Sequence, residues 1–90
     1  MSTAAHTTLL TFPCVYPIKI MGRRTDTFAQ EILTIVVHHA PDFVPASMEM
    51  RPSKQGKYLG LTVTINANSR EQLDALYQAL CAHPSVAMVL

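Results

Sequence analysis

Arg23 and Arg24 follow Gly22 and precede Thr25 and Asp26. A pair of guanidinium groups beside a glycine suits an anion. The guanidinium donates through a planar fork, and glycine lets a ligand approach the backbone closely. A second basic group, Arg51, Lys54 and Lys57, lies at or beside the turn sequence Ser53-Lys54-Gln55-Gly56. Together these are five of the seven Lys and Arg residues. Gly22, Arg23, Arg24, Thr25, Lys54 and Lys57 are therefore the candidate residues for a phosphate, a carboxylate or an acidic partner, provided that the fold unites the two groups.

The other reactive side chains lack partners at useful spacing. His38 and His39 are adjacent, and neighbours on a helix point about 100° apart, so they do not converge on one ion. Near a helix C-terminus a histidine is favoured by the dipole in any case. Cys14 and Cys81 form no CxxC pair, and neither has a His or an acid at a telling offset. Both read as reduced, part-buried thiols. Met48, Met50 and Met88 read as core and edge filler. No catalytic residue, metal ligand or cofactor is assigned.

The 90 residues are 49% apolar and only 14% charged, with a net charge of +1. That content is ample for a core and leaves apolar surface that self-association would hide. The near balance of charge gives no global field for nucleic acid or a membrane. A chain of this size buries about 60% of the surface its unfolded form exposes, so its stability margin is thin. No apolar run reaches the ~20 residues of a membrane span. The opening MSTAAHTTLL has neither a basic n-region nor a long h-region, and the cytoplasm is the expected location. Residues 1–10 are expected to form a flexible N-terminal arm, and residues 11–90 a single domain.

Elements to position the basic groups follow from the hydrophobic period. Tyr16, Ile18 and Ile20 alternate with Pro17, Lys19 and Met21, which predicts a strand over Val15–Met21. Pro17 cannot donate to a ladder and pushes the expected start toward Ile18. Thr25 or Asp26 is the expected cap of a helix whose apolar stripe is Phe28, Ile32, Ile35, Val36 and His39. Ala40-Pro41 ends it. Residues 45–52 read as extended, with Met48 and Met50 on one side. Lys57–Ala67 is the clearest strand, with Leu59, Leu61, Val63 and Ile65 facing one way. Ser69 to Gln72 is a capping box opening a helix with a Leu73, Leu76, Tyr77 and Leu80 stripe. His83-Pro84 ends it, and residues 85–90 are a short closing strand.

The order βαββαβ, with right-handed crossovers and a central hairpin, predicts an α+β ferredoxin-like sandwich. Its four-stranded antiparallel sheet has the order 4-1-3-2 and carries both helices on one face. In that topology the first strand–helix turn, the hairpin and the turn before the last strand share one end of the sheet. Gly22 to Thr25 then meet Lys54 and Lys57 there, with His83 and the N-terminus of the first helix beside them.

Several motifs recur in order: Phe12-Pro13, K-I-M-G at the end of the first strand, HHAP, SKQGKY, T-I-N-A-N-S-x-E-Q, LY and the terminal MVL. Over residues 12–90 the chain resembles the YbeD-like family of small bacterial proteins. The resemblance implies a ferredoxin-like fold similar to the amino-acid-binding ACT regulatory domains. It implies a family without an established enzymatic activity, often encoded near lipoate-attachment genes. It supplies no catalytic residues.

The expected function is a non-catalytic regulatory or protein-interaction module sensing a small anionic metabolite. An enzyme acting on a small phosphorylated or acyl substrate is the alternative. Acylphosphatases place an arginine in the same turn, but their glycine-rich phosphate loop is missing here. A weak nucleic-acid binder is a further alternative, but the uncovered sheet face offers only Tyr58 where RNA-recognition motifs stack bases on two or three aromatics. That face is instead expected to mediate a homodimer or dock another protein.

Overall fold

The computed structural model describes residues 11–90. The arm expected over residues 1–10 lies outside the described residues. The elements are β1 (Cys14–Arg23), α1 (Phe28–His39), β2 (Glu49–Pro52), β3 (Tyr58–Ala67), α2 (Arg70–Cys81) and β4 (Val86–Val89). They form one four-stranded antiparallel sheet of order β2-β3-β1-β4, the expected 4-1-3-2 arrangement.

Period two decides which face the helices cover. Ile18 and Ile20 on β1 and Leu59, Leu61, Val63 and Ile65 on β3 are buried. They meet Phe28, Ile32 and Val36 of α1 and Leu73, Leu76 and Leu80 of α2 in a single core. Spacings of three and four residues place each helical trio on one stripe.

β1 is longer than the sequence predicts and runs through Pro17. The amide of Lys19 donates to Leu90 O at 3.1 Å, and Leu90 N donates back to Lys19 O at 2.8 Å. Pro17, two residues earlier, turns its nitrogen to the same side, beyond the last pairing with β4. The missing N–H therefore costs no ladder bond, while Pro17 still pairs with Thr64 across the other side.

The stretch before β2 differs from expectation. Pro45–Ser47 is a turn of 3-10 helix, and extended backbone begins only afterwards. Met50 stands opposite Leu61 and shares its helix-facing side, yet it is 59% exposed. All four residues of β2 are exposed. The strand overhangs the core at the sheet edge, so Met50 contributes little to it.

The capping box of α2 forms with a changed partner. The Ser69 hydroxyl accepts from Gln72 N at 3.1 Å, as expected. The Gln72 side chain accepts from Asn68 N at 2.6 Å, one residue before the cap. Its amide nitrogen donates to His39 O at 2.8 Å. One side chain thus joins the start of α2 to the end of α1.

Candidate anion site

The two basic groups meet as the topology requires. Arg23 pairs with Tyr58 at the end of the β1–β3 ladder, and Arg24 N then donates to Lys57 O at 2.9 Å. The Arg24 side chain turns to the hairpin tip, where its Nη1 lies 3.3 Å from the position a Cβ would take on Gly56. Gly56 has φ +73°, a conformation that glycine adopts without penalty. Ser53 closes this turn by donating to Tyr58 O and accepting from Gly56 N. Arg24, Lys54, Lys57 and Thr25 are all exposed beside one another at this end. Among the described residues, none of Arg23, Arg24, Arg51, Lys54, Lys57 or Asp26 is in an ion pair.

Two of the expected residues depart from this group. The Arg23 side chain follows strand alternation onto the open face, away from Arg24, although its amide donates to Ser85 O at 2.9 Å. Gly22 is buried, and the expectation that it admits a ligand is corrected. A Cβ there would stand 2.5 Å from Phe28 Cζ and closer still to Ser85 O. The space over Gly22 belongs to the Phe28 ring and the turn before β4. Arg51 also moves, because it stands opposite Gly60 on the open face rather than at the hairpin tip.

The cap of α1 is Thr27, not Thr25 or Asp26, and its side chain makes no capping hydrogen bond. The Thr27 hydroxyl donates instead to Glu31 Oε2 at 2.8 Å. The first turn thus lacks a side-chain cap, and Phe28 N donates to Thr25 O at 3.3 Å instead.

A model of the family described as "Protein of unknown function (DUF493)" matches residues 7–90. The chain belongs to this family. A UPF0250 protein of Bordetella pertussis is 55% identical over 82 residues, covering 91% of this chain and 90% of that protein. A UPF0250 protein of Ralstonia nicotianae is 52% identical over 89 residues, covering 99% and 92%. The YbeD-like resemblance in the motifs is thereby established. Among solved structures, protein HP0495 from H. pylori superposes with TM-score 0.68 at 19% identity, covering 90% of this chain and 85% of that one. The ACT domain from the GTP pyrophosphokinase of Chlorobium tepidum also gives 0.68, at 14% identity, covering 86% and 83%. The fold of this DUF493 member is ACT-like, and no function is established for its family. No helix among the described residues is long and apolar enough to cross a membrane.

The DUF493 chain also holds a polar pair that the sequence reading missed. His83 Nε2 lies 2.6 Å from Glu31 Oε1, and its Nδ1 accepts from Ser85 N at 3.0 Å. Nε2 thus faces the Glu31 carboxylate while Nδ1 faces a backbone amide. The imidazole also packs edge-on to Phe28, with centroids 5.9 Å apart. His83 is therefore a tie between the last turn and α1, engaged by Glu31 and Ser85, rather than a free side chain at the basic end. The available signal was Thr27 with Glu31 four residues on, a spacing that puts both on one helix face. Topology sets His83 at the same end as the start of α1, but no spacing marks Glu31 as its partner. Cys81 is exposed rather than part-buried, whereas Cys14 is half-buried.

The Thr27 hydroxyl, and then the His83 hydrogen bond, hold the Glu31 carboxyl below its ordinary value of 4.5. A depressed folded-state value means stability that is present above the unfolded value and lost as pH falls through the folded one. Melting temperature followed from about pH 6 down to pH 2 should therefore decline less in Glu31→Gln than in the parent below about pH 4.5. Superimposable profiles would remove Glu31 from the acid response.

Proposed function

We propose that this DUF493 member is a non-catalytic regulatory module that reads a small anion at its basic end. The observation that carries the reading is the junction of Arg24 with the hairpin. The Arg24 amide is bonded to Lys57 O, and its guanidinium lies against Gly56. The junction brings Arg24 to the hairpin that carries Lys54 and Lys57, a few residues before the start of α1, with no acid paired to them among the described residues. An anion there meets charge-assisted donors and the positive end of a helix. The acid beside them, Glu31, is taken up by the Thr27 hydroxyl and by the His83 ring, which is itself tied to Ser85. An architecture shared with the ACT domain of a GTP pyrophosphokinase suits an accessory, sensing role.

Amide resonances followed during titration with inorganic phosphate test this reading. Shifts are expected at residues 24–27 and 54–57, saturating at millimolar phosphate. An Arg24→Ala/Lys54→Ala variant should bind about tenfold more weakly, the loss of roughly one charge-assisted contact. Shifts scattered over the surface, or unchanged affinity in the variant, would count against an anion site at this end.

A further inference from the structure

Gly22 is explained by the close approach of Phe28 and Ser85, and Gly56 by its positive φ. Gly60 is explained by neither. It lies within β3, where its φ is not positive, and a Cβ would meet only Arg51 O at 3.4 Å and Met21 Cε at 4.0 Å, which is ordinary contact. Glycine inside a strand costs about 0.5–1 kcal/mol relative to alanine, and here neither backbone nor packing demands it.

Its effect is to open the uncovered face of the sheet. Arg51, Gly60, Met21 and Met88 stand opposite one another in turn across the four strands. The missing side chain leaves a slot between Arg51 and Met21, strands that lie about 10 Å apart. Tyr58 and Thr62 flank it along β3. The resulting groove has a volume near 470 Å³, within the range typical of small-molecule sites. Its apolar walls are wet, with Met21 46%, Met88 50% and Tyr58 42% exposed. Methionines adapt their shape to a bound surface.

We propose that this groove binds a small organic anion with a flat apolar body, lying over Gly60 between Met21, Met88 and Tyr58, with its anionic head on Arg51. Charge selects the occupant. Within the strands the open face carries Lys19, Arg23 and Arg51 against Glu49, and none of the four is ion-paired among the described residues; Asp42 adds a carboxylate at its far end, bonded to Asn66. A second copy related by a twofold axis would set this cationic face against itself, whereas a bound anion reduces the excess of positive charge. Arg51 offers a planar fork to a carboxylate. The groove reaches the hairpin at Pro52 and Ser53, while Arg24 and Lys54 lie outside its lining.

Naphthoate is a suitable probe, with naphthalenemethanol as its uncharged counterpart, both followed by amide shifts in the intact chain. The expected shifts lie at Met21, Arg51, Gly60 and Thr62, and saturating phosphate leaves them in place. Gly60→Val fills the slot with a strand-favouring side chain. It should keep or raise the melting temperature while weakening naphthoate about tenfold or more. Arg51→Gln should weaken naphthoate several-fold and leave naphthalenemethanol unchanged. Naphthoate binding of parental strength in Gly60→Val, or shifts confined to residues 24 and 54–57, would overturn the proposal. So would a dimer in sedimentation equilibrium that Gly60→Val dissociates, since the groove would then belong to a second copy.

Discussion

Gly22→Ala should destabilise the protein by about 3 kcal/mol or more, the upper part of the range for overpacking a tight interior. Alanine is ordinarily the better strand residue by roughly 0.5–1 kcal/mol, so the sign rests on sterics alone. The added methyl would meet the Phe28 ring at 2.5 Å on one side and the backbone oxygen of Ser85 on the other. Ser85 O is not free to retreat, because it accepts the Arg23 amide at 2.9 Å. Phe28 is fully buried among core side chains and has nowhere to swing. For a domain of this size such a loss lowers the melting temperature by more than about 10 °C. A thermal melt within a few degrees of the parent would show that the turn before β4 yields easily.

Phe28→Ala should cost about 3–5 kcal/mol, the usual result of truncating a fully buried phenylalanine. The ring is the largest of the fully buried side chains and closes the core beneath the basic end. It supports Gly22 on one side and the His83 imidazole on another. The two predictions are coupled. In a Phe28→Leu background, Gly22→Ala should cost less than in the parent, because one of its two obstacles has shrunk. It should still cost something, because Ser85 O stays. A double-mutant cycle of denaturant midpoints measures the difference, and additive losses would argue against direct contact between the two positions.

Much of the architecture was legible because the pattern of β3 and the stripe of α2 admit one reading each. Leu59, Leu61, Val63 and Ile65 alternate without exception, and all are buried. Ser69 and Gln72 mark the start of α2 through local hydrogen bonds that need no knowledge of the rest of the chain. Met50 has the expected face but not the expected burial, for the opposite reason. Alternation assigns a residue to a face but does not say how far the helices extend over that face, and β2 lies beyond them. At the basic end, topology alone brought Lys57 beside Arg24. The separation of Arg23 from Arg24, the packing over Gly22 and the pairing of His83 with Glu31 depend on tertiary contacts. The Glu31–His83 pair spans 52 residues, and no local pattern encodes it.

Pro17 has a consequence for assembly. Since β4 pairs with β1 only as far as Lys19, the earlier half of β1 has no strand partner on that side among the described residues. Bare flanks of this kind are templates on which another chain can add a strand. Proline at position 17 removes the next donor in line, so an incoming strand finds an interrupted ladder. The residue that complicates the sequence reading thus makes that flank a poor template for a further strand.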